Sequence, residues 1–127
     1  MQIVMRKDKG NTDGALAESM AADYLQRRGL TVLERNFRVR GGEIDLVCQE
    51  GESLVFVEVR LRRNVRFGGG FESIDKRKQA RIILAAKHYL GRNVANNMAC
   101  RFDCISLDRL DLAALNWVRN AFTLDQE

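Results

Sequence analysis

The fold is decided by the stretch Gly42-Glu-Ile-Asp45-Leu-Val-Cys-Gln-Glu50-Gly51-Glu-Ser-Leu-Val-Phe-Val-Glu58-Val-Arg60. Two β-rich runs, residues 43–49 and 53–63, flank a turn at Glu50-Gly51-Glu52, and a single central glycine suits a tight hairpin. The stretch therefore predicts two antiparallel strands. Because side chains alternate along a strand, one face of the first strand should carry Glu43, Asp45 and Val47, and the other Ile44, Leu46 and Cys48.

The register of this hairpin brings two acidic side chains together. A turn centred on Gly51 places Asp45 directly opposite Glu58, and Glu43 opposite Arg60. Like charges that face each other across a sheet destabilise it. The register therefore predicts a pair of carboxylates that needs a compensating charge.

A divalent cation is one way to compensate this pair. The apolar neighbours Val47 and Phe56 solvate an ionised carboxylate poorly. A hard cation such as Mg²⁺ or Mn²⁺ would neutralise the pair through oxygen ligands. The pattern predicts metal ligation by Asp45 and Glu58. A solvated strand edge, on which the two acids pair with arginines, is the open alternative.

Glu18 is a third candidate ligand. It lies in a predicted helix, residues 14–28, whose apolar residues recur at helical spacing. Neighbours one or two turns away, Ala21, Ala22 and Leu25, are small or apolar, so Glu18 lies on the face that normally packs against the protein. The hypothesis is an inward carboxylate directed at the metal site. A helix-border glutamate that extends into solvent is the alternative.

The other segments predict an α-β-β-β-α-β order of elements. An extended run, residues 30–40, precedes the hairpin and ends at a Gly41-Gly42 break. Ser73 is the predicted N-cap of a second helix that reaches about Leu90 and ends at Gly91. A strand follows at residues 101–107, and residues 116–122 suggest a final edge strand. We expect residues 1–13 to form a polar, flexible leader and residues 14–127 to form the domain.

Composition limits the class of protein. The 127 residues suffice for one domain, and 46% hydrophobic with 30% charged residues is a globular balance, not that of a disordered or fibrous chain. The N-terminus lacks the apolar core of a secretory signal, and no stretch approaches the roughly 20 apolar residues of a membrane span. Three cysteines, an odd number, favour free thiols in a reducing compartment. We expect a cytoplasmic protein without a membrane partner.

Positive charge is concentrated in one window of the chain. Residues 60–81 carry a net charge of +6, against +4 for the whole chain. Such a concentration is typical of a polyanion-binding face, although a solvated helix end gives the same count. The window predicts phosphate contacts from Arg62, Arg63, Arg66, Lys76, Arg77, Lys78 and Arg81. The three glycines at residues 68–70 predict a loop, which either adapts to a bound nucleic acid or is a plain connector.

Six short segments, in a fixed order along the chain, form a set of motifs that can be compared with known families. They are Gly14-Ala-Leu-Ala-Glu18, Asn36-Phe-Arg38, Gly42-Glu-Ile-Asp45-Leu-Val, Phe56-Val-Glu58-Val-Arg60, Ser73-Ile-Asp-Lys-Arg-Lys-Gln79 and Arg101-Phe-Asp103. Together, over roughly residues 14–122, they resemble the YraN family of bacterial endonuclease-like proteins. That family is similar in its core to archaeal Holliday junction resolvases and the wider PD-(D/E)XK nucleases. The resemblance implies an α/β fold: a single-domain, restriction-endonuclease-like αβββαβ core with a mixed central sheet flanked by helices.

The resemblance also implies roles for four residues. Glu18 takes the position of the helix glutamate, Asp45 that of the motif aspartate, and Glu58-Val59-Arg60 that of the (D/E)XK triplet. Mg²⁺ or Mn²⁺ held by Glu18, Asp45 and Glu58 would then serve phosphodiester hydrolysis. Arg60 stands where the pattern has lysine. Because a guanidinium keeps its proton near neutral pH, we expect Arg60 to stabilise charge and not to act as a base.

The expected function is that of a metal-dependent endonuclease acting on nucleic acid, with DNA as the expected substrate. Arg60 keeps one alternative open, a non-catalytic nucleic-acid-binding protein on a nuclease fold. The other alternative is an interaction module of a DNA-processing assembly, whose basic face meets an acidic partner. A resolvase-like homodimer is an expectation by analogy alone.

Overall fold

The computed structural model describes residues 12–62, 74–92 and 98–123. The elements, in chain order, are α1 (Thr12–Arg27), β1 (Thr31–Val39), β2 (Gly42–Glu50), β3 (Ser53–Leu61), α2 (Lys76–Arg92), β4 (Ala99–Leu107), a 3-10 turn (Leu112–Ala114) and β5 (Leu115–Phe122). The predicted α-β-β-β-α-β order is confirmed, and the suggested final edge strand is present as β5. The α/β class and the single domain are confirmed as well.

The helix ends differ from the predicted ones by a few residues. Helix α1 begins at Thr12, two residues before its predicted start, and so includes the last two residues of the predicted leader. Residues 1–11 lie outside the described part of the chain. The predicted N-cap of α2, Ser73, also lies outside it. The capping hydrogen bond comes from Asp75, whose Oδ1 accepts from the Lys78 N–H at 2.8 Å, so the cap lies two residues later than predicted.

One mixed sheet lies at the centre of the molecule. Its strand order is β1-β2-β3-β4-β5, with β3 and β4 parallel and all other neighbours antiparallel. A parallel pair needs a crossover connection, and α2 lies in that connection between β3 and β4. The helices α1 and α2 pack against opposite faces of the sheet. The predicted mixed sheet flanked by helices is confirmed.

The two faces of the sheet have different cores. On the α2 face, Phe56, Phe102 and Phe122 stack with ring centroids 5.5 and 4.7 Å apart. On the α1 face the helix contributes small and aliphatic side chains, Ala17, Ala21, Ala22 and Leu25, which pack against the aliphatic side chains Leu46, Val55, Val57, Ile105 and Leu107. Because alanines let a helix backbone approach a sheet closely, α1 carries Glu18 near the strands.

The predicted Gly41-Gly42 break brings β2 into close contact with α2. Gly41 has φ +85° and turns the chain, and a Cβ on Gly42 would overlap the carbonyl oxygen of Arg81 and lie 3.2 Å from the Ala85 nitrogen. Only glycine permits this approach. The N-terminal half of α2 is therefore held over the start of β2, where the acidic residues lie.

No helix in the described ranges combines the length and the apolar character that a bilayer crossing requires. All three cysteines are free.

Candidate active site

The β2–β3 ladder has the predicted register but stops short of the acidic pair. Its pairs run from Glu50 with Ser53 to Leu46 with Val57. The next residue of β2, Asp45, instead uses its side chain, and its Oδ2 accepts a hydrogen bond from the Val59 N–H at 2.8 Å. The Asp45 carboxylate therefore takes the place of a backbone acceptor, which fixes it against β3.

The predicted alternation of side chains along β2 is wrong at Asp45. Ile44 packs with Val47 in the core on the α2 face, whereas Leu46 and Cys48 pack on the α1 face. Strict alternation would have placed Ile44 with Leu46 and Cys48. The switch falls where the pairing of β2 with β3 ends, and β1 follows it: Asp45 is also skipped in the β1–β2 register, opposite Asn36, which has φ +53°. Asp45 therefore lies at the junction of the two faces.

Asp45 contacts two other carboxyl groups at this junction, one on each neighbouring element. Asp45 makes side-chain hydrogen bonds with Glu18 of α1 and with Glu58 of β3. The predicted contact between Asp45 and Glu58 is present, and Glu18 has the inward position that was expected of it. A hydrogen bond between two carboxyl groups requires a proton on one of them, so the cluster binds protons when no other cation neutralises it.

The pKa values of the three acids are all raised. Burial, followed by the charge of Asp45, raises the pKa of Glu58 to about 8 and that of Glu18 to about 7. Burial also raises the pKa of Asp45, against the opposing effect of the Val59 N–H. At neutral pH the metal-free cluster therefore carries fewer than three negative charges.

Cationic and polar groups from other elements surround the cluster. The Lys78 Nζ lies 3.5 Å from Glu58 Oε2 and 3.7 Å from Glu43 Oε2. On the other side, the Asn36 side chain forms a hydrogen bond with Glu18, and the charge of Arg38 also acts on it. The sequence reasoning assigned no role to Asn36 and Arg38. In the sequence, the two residues were marked only by the Asn36-Phe-Arg38 segment of the family resemblance. Asn36 adopts φ +53°, a conformation that asparagine tolerates better than most residues.

Arg60 lies two residues after Glu58 on the same face of β3, beside β4. The parallel register pairs Glu58 with Cys104 and Arg60 with Ser106. Burial raises the pKa of the Cys104 thiol to about 12, while the charge of Arg60 and a hydrogen bond with it act in the opposite direction. The thiol is therefore protonated and inert. The predicted pairing of Glu43 with Arg60 does not extend the ladder, and Glu43 pairs with Lys78.

The basic residues of the window divide into two groups. Lys76, Arg77 and Arg81 are exposed on α2, as a phosphate-binding face requires. Lys78 turns toward the acids, and Arg62, half-buried beyond β3, donates its backbone N–H to Leu107. Three predicted elements of this face lie outside the described residues: Arg63, Arg66 and the loop at residues 68–70.

The donor groups fit a hard divalent cation, although they do not form a finished cage. Within residues 12–62, 74–92 and 98–123, no three His, Cys, Asp or Glu side chains converge as a ready-made metal site. Mg²⁺ usually takes only one or two protein carboxylates and completes its shell with water. Asp45 and Glu58 can supply those two, and Glu18 a third, directly or through water. All three are oxygen donors, as Mg²⁺ and Mn²⁺ prefer.

Comparisons with known proteins agree with the motif resemblance. Residues 17–107 match the model of a family described as "Uncharacterised protein family UPF0102". A "UPF0102 protein" of Dechloromonas aromatica is 49% identical over 123 residues, covering 96% of this chain and 98% of that protein. A "UPF0102 protein" of Nitrosococcus oceani is 46% identical over 127 residues, covering 98% of this chain and 99% of that protein. The matched region contains Glu18, Asp45, Glu58 and Arg60.

Proposed function

The chain belongs to UPF0102, the YraN family, and we propose that it is a Mg²⁺- or Mn²⁺-dependent endonuclease that hydrolyses phosphodiester bonds of DNA in the cytoplasm. The observation that carries this proposal is the contact of Asp45 with both Glu18 and Glu58. Asp45 links acids of three elements through pairwise contacts where the β2–β3 ladder ends, at a cost to the metal-free fold. Such an arrangement is typical of a site that binds a cation for chemistry.

The residues of the cluster have separate tasks. Asp45, fixed by the Val59 N–H, and Glu58 would hold the divalent cation, and Glu18 of α1 would add a third negative charge beside it. The cation, when bound, supplies a nucleophilic water near neutral pH and neutralises the phosphate. Arg60, at the next position of the same strand face, provides a fixed positive charge for the phosphorus oxygens.

The exposed cations of α2 hold the substrate. Lys76, Arg77 and Arg81 project from the helix that closes over β2, next to the acidic cluster. Contacts to phosphates position a nucleic acid without reading its bases. We therefore expect selection of DNA by its structure more than by its sequence.

A second candidate function is nucleic-acid binding without cleavage. It is favoured by Arg60, which replaces the lysine of the (D/E)XK pattern and cannot exchange a proton near neutral pH. The two functions make the same prediction for DNA binding, and opposite predictions for Mg²⁺-dependent cleavage.

A cleavage assay tests the proposal. Supercoiled plasmid, four-way junctions, single-stranded DNA and an RNA hairpin are incubated with the wild-type protein in Mg²⁺, in Mn²⁺ or in EDTA. We expect metal-dependent cleavage of at least one DNA form. Asp45→Asn and Glu58→Gln should each reduce the rate by about a thousandfold, because each removes a ligand of the cation.

Asp23→Asn is the matched control, since Asp23 is an exposed acid of α1 paired with Arg27 and lies outside the cluster. It should cleave as the wild type does. Cleavage that survives both Asp45→Asn and Glu58→Gln would show a contaminating nuclease and remove the proposed site. A wild-type protein that binds DNA and cleaves none of the substrates would establish the second candidate.

A further inference from the structure

The first turns of α2 contain two kinds of basic side chain. Lys76, Arg77 and Arg81 are exposed, whereas the Lys78 side chain is only 34% exposed. Its Nζ lies within 4 Å of two carboxylates, Glu58 on β3 and Glu43 on β2. Lys78 thus joins α2 to both strands of the hairpin that carries the acids.

The position of Lys78 follows from two local features. The Asp75 cap begins the helix at Lys76 and accepts the Lys78 N–H, and Gly42 lets α2 approach β2 without a gap. These features set the rotation and the height of the first helical turn over the hairpin. The side chain of Lys78 is thereby directed at the sheet, while the preceding basic side chains, Lys76 and Arg77, are exposed.

The contact with Glu58 differs from an ordinary surface ion pair. Exposed pairs contribute little because water solvates both partners, but Glu58 is only 8% exposed. Glu58 also contacts Asp45, which contacts Glu18. In the described part of the chain, Lys78 is the lysine whose ammonium group reaches this acidic cluster, and its charge acts on Asp45 as well as on Glu58.

We propose that Lys78 is the internal cation of the carboxylate cluster and not a contact to nucleic acid, and that a divalent cation takes over its charge-neutralising role at Glu58. The inference rests on the metal site of the proposed function. A divalent cation at Glu58 and the Lys78 ammonium repel each other at this distance. Lys78 therefore weakens divalent binding while it stabilises the metal-free fold, and it is a positioning residue for Glu58.

Two binding measurements on Lys78→Met and on the matched variant Lys76→Met test this inference without relying on cleavage. The first is Mg²⁺ affinity by isothermal titration, with the pH raised above about 8, the pKa of Glu58, until the affinity levels off, so that protons no longer compete. Lys78→Met should bind Mg²⁺ about fivefold more tightly than the wild type. Lys76→Met and the charge-conserving Lys78→Arg should stay within about twofold.

The second measurement is the salt dependence of DNA binding in EDTA. Each phosphate contact that is lost reduces the slope of log K against log salt by about one. Lys76→Met should show that reduction, and Lys78→Met should keep the wild-type slope. If Lys78→Met fails to fold, Lys78→Gln, which keeps a polar group near Glu58, replaces it in both measurements.

Three outcomes would overturn the inference. One is a salt slope of Lys78→Met that falls as much as that of Lys76→Met. Another is a limiting Mg²⁺ affinity of Lys78→Met equal to or weaker than that of the wild type; if the wild type cleaves DNA in that case, the proposed function stands and only the role of Lys78 fails. The third is an absence of Mg²⁺ binding in every variant, which would remove the metal site together with this inference.

Discussion

Two inward-facing aspartates of this sheet, Asp45 on β2 and Asp103 on β4, have opposite surroundings. Asp103 is 1% exposed and is surrounded by donors. It accepts hydrogen bonds from Arg101 Nε at 3.0 Å, from Trp117 Nε1 at 2.9 Å and from the Asn120 N–H at 3.0 Å. Asp45 accepts a hydrogen bond from one backbone donor, Val59, and its side-chain hydrogen bonds are with the acids Glu18 and Glu58, while the charge of Lys78 acts on it from α2.

The difference separates a structural carboxylate from a functional one. Asp103 lies at a register shift between β4 and β5. There Asn120 adopts φ +53°, and its backbone N–H donates a hydrogen bond to the Asp103 carboxylate. Its charge is compensated within the fold, so it needs no ligand. The charge of Asp45 is not compensated in this way, because Glu18 and Glu58 add to it. Burial alone therefore does not identify a functional acid, and the identity of its neighbours does.

The largest expected effect is that of Asp103→Asn on stability. The amide cannot accept from three donors and places its own NH₂ group against Arg101 and Trp117, so the variant should lose about 3 kcal/mol of unfolding free energy. Asp45→Asn, in EDTA, should be as stable as the wild type or more stable, because it removes like-charge repulsion. Urea denaturation measures both values. Equal destabilisation by the two substitutions would contradict the distinction between the two aspartates.

An intermediate effect is expected at Arg60, which belongs to the acidic region. Arg60→Ala should reduce metal-dependent cleavage by about a hundredfold, since a cation that faces the phosphate is lost. Arg60→Lys should stay within about tenfold of the wild type, because either side chain supplies the charge. The kcat values of the two variants on the best DNA substrate measure this. An inert wild type that Arg60→Lys activates would mark the native chain as a binding protein on a nuclease scaffold.

The smallest effect concerns pH. Glu18 and Glu58 have pKa values of about 7 and about 8 in the folded protein, above the ordinary value of 4.5, so the folded state binds protons more tightly than the unfolded one. Their contribution to stability is complete below about pH 4.5 and is lost as the pH rises through 7 and 8. The Tm of the metal-free protein should therefore fall between about pH 5.5 and 8.5.

Mg²⁺ should reverse this loss at the higher pH, because it binds the folded state. Differential scanning calorimetry in EDTA and in Mg²⁺ gives both curves. Glu58→Gln should flatten the metal-free curve and abolish the Mg²⁺ effect, whereas Asp23→Asn should leave both unchanged. A Tm that rises from pH 5.5 to 8.5 in EDTA would show that the acids of the cluster do not hold their protons.

Much of the fold could be predicted from local sequence. The order of elements and the hairpin register follow from hydrophobic periodicity and from one glycine turn, since both depend on neighbours along the chain. The position of Glu18 also follows, because the small residues around it mark the packed face of α1. The helix cap was misplaced by two residues, because Ser73 and Asp75 are both good caps and only the packing of α2 on β2 selects between them.

The sequence by itself determined the α/β class, the hairpin register and the three acids of the cluster, Glu18, Asp45 and Glu58. Tertiary structure alone decided which groups compensate each acid. The switch of side chains at Asp45 depends on the end of a ladder with another strand, and the donors of Asp103 come from β5. Lys78 looks in sequence like the basic residues beside it, yet it faces Glu58. Long-range packing sets the direction of each of these side chains, and direction determines whether a charge meets solvent, a donor or another charge.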